Sequence, residues 1–266
     1  AVNAMQKFDC QFRFAITESY RFGQQVADVA NELVQGYFGE KLSIKGKGSD
    51  TLVYCHGQVA TSGPVAWITR TNAGLFEKAV QALRAQQSMA FIGGVNGYKL
   101  QLIADAQNIA MGRKHEVQDP FIRSFNSLTE IEAYAEDVED HELNRIAAIC
   151  RTYGEQIFEL IDDIHEQALP DLKGAECILS TAHKSKGSTL ENVCMGDDFK
   201  SIVTQKEGVW RKAKKLDPQE VNLTYVAVTR AQKSLSLSQV VLDYQTYLFE
   251  RTEADTSDCD PSILED

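Results

Sequence analysis

Short apolar runs alternate with amphipathic helical stripes along the first third of the chain, and this alternation limits the fold more than any other feature. Residues 51–55 and 65–69 read as strands. Leu75, Phe76, Ala79, Val80 and Leu83 then recur at helical spacing, and residues 89–92 return to strand before Gly93 and Gly94. A strand, a helix and a second strand joined by short links imply parallel pairing with the helix as the crossover. An earlier stripe of Phe22, Val26, Val29, Ala30, Leu33, Val34 and Tyr37 gives another helix, ended by the glycines at 36, 39, 46 and 48. The expected class is α/β, a parallel sheet with helices on its faces.

Strand signals stop between about residues 95 and 170. Leu143, Ile146, Ala147, Cys150, Tyr153, Ile157, Leu160, Ile161 and Ile164 carry a helical stripe there. Strands resume at 177–180, 193–195 and 234–241, so the sheet is expected to draw on both sides of a helical insertion. The few apolar residues after 250 predict an acidic tail without structure.

Two later stretches carry chemistry. Residues 225–231 (Tyr-Val-Ala-Val-Thr-Arg-Ala), preceded by Glu220, Asn222 and Leu223, place Arg230 just past a buried apolar segment, an arginine presented to an anion. Residues 180–187 (Ser-Thr-Ala-His-Lys-Ser-Lys-Gly) follow the apolar run 177–179 and read as a strand opening into a loop of donors, the arrangement by which α/β sheets hold phosphates. Together they resemble motifs V and VI of the superfamily 1 DNA helicases of the UvrD/Rep type. Residues 19–23 (Ser-Tyr-Arg-Phe-Gly) resemble motif IV, and residues 68–73 (Ile-Thr-Arg-Thr-Asn-Ala) the motif between IV and V. The wording of these segments, with Ala1-Val2-Asn3-Ala4-Met5 and Gly93-Gly94, is most similar to the F-box DNA helicase branch. The resemblance reaches about residue 245.

What the resemblance implies can be stated residue by residue. Arg230 would act as an arginine finger, because phosphoryl transfer needs positive charge at the γ-phosphate and a guanidinium fork suits it. Arg21 would reach the same phosphate. Glu220 would orient neighbouring arginines by a salt bridge, or serve as a charge at a helix N-terminus, and joins Arg21, Arg230, Gly187 and Thr189 as nucleotide-side residues. Arg70, Asn72, Thr181, His183 and Lys186 would contact single-stranded DNA, with Phe91, Tyr98, Trp67 and Trp210 as candidate stacking platforms. One departure stands out. The family continues Lys-Gly with a glutamate that contacts the ribose, and ungapped alignment puts Thr189 there. Glu191 supplies the acid only if the loop is two residues longer.

No G-x-x-x-x-G-K-[ST] occurs in the 266 residues and no Walker B acidic pair is evident, so the chain reads as the carboxy-terminal half of a helicase. Residues 1–94 and 170–249 would form a second RecA-like motor domain, 95–169 a helical insertion, and 250–266 the tail. ATP and Mg2+ would both require an amino-terminal RecA-like partner, no metal site is expected here, and the isolated chain should be inactive. The competing reading is a helicase-derived module that binds DNA or recruits proteins without hydrolysis.

Charge and cysteines bound these readings. A net charge of −11 argues against broad attraction to nucleic acid, but acid concentrates in 130–142, 155–166 and 250–266. Arg70, Lys184, Lys186 and the run Arg211, Lys212, Lys214 and Lys215 stand apart, so a DNA track can coexist with acidic faces. Six scattered cysteines without C-x-x-C spacing predict buried reduced thiols and a reducing compartment, cytoplasm or nucleus. No signal pattern or membrane-length apolar stretch occurs, so a soluble protein without a membrane partner is expected.

Overall fold

The computed structural model describes residues 9, 12, 17–39, 43–59 and 62–257, with side chains to residue 252. A two-residue strand β1 (Glu18–Ser19) leads into α1 (Gln24–Phe38), and β2 (Lys45–Gly46) returns to pair with β1 in parallel. The main sheet begins with β3 (Leu52–Tyr54) and β4 (Val65–Thr69), continues through α2 (Asn72–Arg84) and reaches β5 (Met89–Phe91). These elements match the expected strands and helix closely. A helical segment then carries α3 (Gln101–Ala110), the single turn α4 (Pro120–Arg123), α5 (Leu128–Asp137), α6 (His141–Tyr153) and α7 (Gln156–Gln167). Ser127 and Asp140 cap α5 and α6 by accepting from Glu130 N and Leu143 N.

Strands resume with β6 (Ala168–Leu169), β7 (Cys177–Thr181) and β8 (Leu190–Met195). A hairpin, β9 (Val203–Lys206) with β10 (Val209–Lys212), precedes α8 (Pro218–Val228), β11 (Ala231–Ser236) and α9 (Gln239–Ser257). The seven-stranded sheet runs β3-β11-β8-β4-β7-β5-β6, and every pair in it is parallel. All five residues of β7 are buried, as expected for a central strand covered on both faces.

Two cores lie on opposite faces. One joins Phe76, Val80, Met89 and Leu179 to Ile103, Ile131, Ile146 and Ile164, so the helical segment shares a continuous core with α2 and the sheet. The other gathers Val26, Leu33, Ile68, Val193, Val228, Leu235 and Tyr244 under α1, α8 and α9. Burial pushes the thiols of Cys150 and Cys177 up to about 12 and that of Cys194 to about 11, so all three stay protonated and inert. Cys55 is exposed instead, while Cys10 and Cys259 lie outside the described residues.

The last strand expected over 234–241 is shorter and earlier. Alternation ends after Leu237, and buried Val241 and Tyr244 then follow helical spacing on α9. That helix continues to Ser257, through the first residues of the tail expected to lack structure; residues 258–266 and the opening segment 1–5 lie outside the described residues. Strand β6 falls within the stretch read as strand-free.

Candidate functional site

An all-parallel sheet gathers its strand ends into two separate edges. Thr69 pairs with Thr181 and Ile68 with Met195, so β4, β7 and β8 end together at the carboxyl edge. Leu190 pairs with Ala231, placing Arg230 at the amino edge where β8 and β11 begin. The 182–189 loop connects one edge to the other.

At the amino edge, Arg230 is 7% exposed. Its Nε donates to Val226 O at 2.9 Å, one terminal nitrogen to Ser188 O at 3.3 Å and the other to Thr229 Oγ1 at 3.1 Å. Arg21 reaches in from the start of α1, donating through Nε to Thr189 Oγ1 at 3.1 Å and through a terminal nitrogen to Thr229 O at 3.3 Å. Burial, reinforced by the charge of Arg21, lowers the Arg230 guanidinium to about 10. Neither arginine has a carboxylate within ion-pair distance among the described residues. Two neighbouring guanidiniums held only by neutral oxygens form a site whose charge an anion would neutralise. Gly187 adopts φ +93°, which lets the loop turn where a side chain would be strained. Glu191 belongs to β8 and pairs with Lys233 at 2.9 Å, so Thr189 is the loop residue beside Arg21.

The carboxyl edge is organised by acids. Arg70 forms a two-bond fork on Glu220, Nε to Oε2 at 2.6 Å and a terminal nitrogen to Oε1 at 2.7 Å. Asp198 accepts from Arg70 N at 2.9 Å, Thr71 N at 2.7 Å and Thr71 Oγ1 at 2.6 Å. Glu142, from α6, accepts from Asn72 N and Ala73 N, both at 2.9 Å. Acids at the unpaired amides of α2 complement its dipole. Burial nevertheless raises the Glu142 carboxyl, partly offset by those two amides. His183 and His141, exposed at the surface, lie in the same electrostatic field; partial desolvation lowers both, Lys200 lowers His141 further, and Arg70 lowers while Glu220 raises each.

The expected residues therefore divide between the two edges, with differences at Glu220, Thr181 and the aromatic candidates. Glu220, grouped with the nucleotide by sequence, sits at the start of α8 beside Arg70, whereas Arg230 follows the other end of that helix about 16 Å away. Asp217 caps this helix by accepting from Gln219 N, with Pro218 in its first turn. His183 and Lys186 are exposed, but Thr181 is buried, its carbonyl accepting from Ser180 Oγ and Ser185 N. Tyr98 and Phe91 are core residues rather than open platforms, and Trp67 and Trp210 pack half-buried on the two cores. Lys184 lies 4.2 Å over the Tyr98 ring and fills the space left by Gly97. Glu142 was not singled out from the sequence because an acid in the stretch 130–142 looks solvated; Asp198 follows the expected strand 193–195, but nothing local marks its partners at Arg70 and Thr71.

No protein-family model matches the chain. F-box DNA helicase 1 of Gallus gallus is 27% identical over 258 residues, covering 90% of this chain and 25% of that protein. F-box DNA helicase protein 1 of Schizosaccharomyces pombe is 27% identical over 248 residues, covering 86% of this chain and 27% of its own length. The chain is a distant relative of the F-box DNA helicases. It spans about a quarter of the length of these F-box DNA helicases, and its seven-stranded parallel sheet with a helical segment is consistent with a RecA-like domain. Against the nucleotide of a helicase, the paired arginines fit a polyphosphate. Mg2+ finds no fitting set, since no cluster of three or more His, Cys, Asp or Glu side chains that would hold a metal occurs among the described residues. No helix among them is long and apolar enough to cross a membrane.

Proposed function

We propose that this chain is the second RecA-like motor domain of an ATP-dependent DNA helicase or translocase moving 3′ to 5′ on single strands, and works in a reducing compartment, cytoplasm or nucleus. Residues 1–94 and 170–249 would form the motor fold and 95–169 its helical insertion, packed on α2 rather than standing apart. ATP, bound against a first RecA-like domain that carries the phosphate loop and the Mg2+ ligands, would supply the phosphoryl transfer that drives the motor. Arg230 and Arg21 hold positive charge at that cleft. Arg70, His183 and Lys186 face the strand at the opposite edge, while the Asn72 amide, tied to Glu142, positions α2.

The observation that carries this reading is the pair of neighbouring arginines at the amino edge without an acidic partner among the described residues. A module that only recruits proteins or binds DNA has no use for two uncompensated guanidiniums at the edge remote from its DNA contacts. In the complete helicase, Arg230→Ala should lower the turnover rate by about a thousandfold or more while changing nucleotide affinity less, since the charge matters most in the transition state. Arg230→Lys should rescue little because an ammonium lacks the planar fork. Turnover of Arg230→Ala within a few-fold of the unmodified enzyme would reject the assignment.

A further inference from the structure

The hairpin β9–β10 is not used by the function above, and its charge runs against the rest of the chain. Between residues 200 and 215 stand Lys200, Lys206, Arg211, Lys212, Lys214 and Lys215 against the single acid Glu207, in a protein of net charge −11. The turn has φ +53° at Glu207 and +79° at Gly208, the positive pair that lets a two-residue loop follow the twist of the strands. Register sorts the side chains. Val209 lies opposite Lys206 and Arg211 opposite Thr204, so these four share one face, and all four are exposed. The other face is turned inward: Val203 is buried, Trp210 packs on the core, and Lys212 donates to Gly36 O at 3.0 Å and Tyr37 O at 3.3 Å at the end of α1. One lysine of the run is thus consumed by the fold. Lys206, Arg211 and Lys214 have no acid within ion-pair distance among the described residues.

Both ends of the hairpin are fixed beside Arg70. The chain enters from Asp198, which holds the Arg70 amide, and leaves into α8, where Glu220 holds its guanidinium. Ala213 N donates to Ile202 O across the base at 3.0 Å. Lys200 stands 4.0 Å from Glu220, and Lys215 reaches Glu139 at 3.4 Å, two residues from His141. The base of the hairpin, through Lys200 and Glu220, therefore lies beside the edge occupied by Arg70.

We propose that the outer face of this hairpin is a second nucleic-acid contact, binding the phosphate backbone of DNA beyond the segment held at Arg70, His183 and Lys186. This rests on the reading of that edge as a DNA track and extends the length of strand the chain holds. Phosphate contacts made by exposed cations are independent of sequence and strongly salt-dependent.

The test compares an oligonucleotide of about 6 nucleotides with one of about 20, bracketing typical single-strand site sizes. The double variant Lys206→Ser, Arg211→Ser should weaken binding of the long strand several-fold at low salt and reduce the slope of log affinity against log salt by about 1.4. Binding of the short strand should not change. Glu207→Lys, which adds a cation at the turn and removes no packing, should tighten the long strand alone. Unchanged long-strand binding in both variants, or equal competition by poly-glutamate of matched length, overturns the proposal. Lys186→Ala separates the two readings: no effect on either strand rejects the track itself, whereas a weakened short strand with an inert hairpin rejects only the extension.

Discussion

On the proposed DNA track, Glu220 would make the Arg70 contact conditional. Its carboxylate offers the two-oxygen geometry that a phosphate would offer, so a strand would have to displace it to reach the guanidinium. Lys200, already 4.0 Å from Glu220, remains to accompany the acid after the exchange. Glu220→Gln should therefore raise single-strand affinity several-fold at low salt while destabilising the fold by about 2 kcal/mol, the typical loss for hydrogen bonds to a charged group. Fluorescence titration and thermal melts read these opposite signs; a loss of affinity would show that Glu220 only positions Arg70. His183 and His141 have lowered values in the fold, so the folded state favours their neutral forms. Stability from them is present above the unfolded value of about 6.5 and is lost as pH falls through it toward the lower folded values. Thermal melts between pH 7.5 and 5, an interval chosen around that unfolded value, should fall more steeply for the unmodified chain than for His183→Gln.

Among the elements, α2 depends most on distant partners. Thr71 caps it by accepting from Gly74 N at 2.8 Å, while Asp198 and Glu142 take the amides around it. A methyl group at Gly74 would lie 2.2 Å from Asp198 Oδ2, an oxygen already committed to Thr71, so Gly74→Ala should cost roughly 1–3 kcal/mol as overpacking. Asp198→Asn should cost more than Glu142→Gln, because burial already penalises the Glu142 anion and an amide oxygen still accepts. Denaturant melts of the three variants give the order. The body of α2 was legible from the stripe beginning at Leu75, but its Thr71 cap and its anchors were not, since both acids come from remote positions. The β9–β10 hairpin was missed for another reason: each strand is short, only one face is apolar, and Glu207-Gly208 lacks the usual Asn-Gly signal. At the amino edge, the neighbourhood of Arg230 and Arg21 followed from motif wording, whereas Thr189 beside them stands where the motif departs from the family. Their separation from Glu220 became visible only with the direction of α8.

At the scale of the molecule, the helical segment shares one core with α2 and the sheet, so 95–169 should not unfold as a separate unit. The two tryptophans are well placed to check this, because Trp67 packs on the core shared with the insertion and Trp210 on the opposite one. Trp67→Phe and Trp210→Phe chains should show coincident fluorescence transitions in urea, matching circular dichroism. Separate midpoints would make the insertion an independent domain. Helix α8 joins the two edges, with the Arg70 fork at its first turn and Arg230 just past its last. Such a strut works in both directions. If an anion seated on Arg21 and Arg230 shifts α8 and thereby multiplies DNA affinity by some factor, DNA must multiply the affinity for that anion by the same factor, since binding free energies around a closed cycle sum to zero.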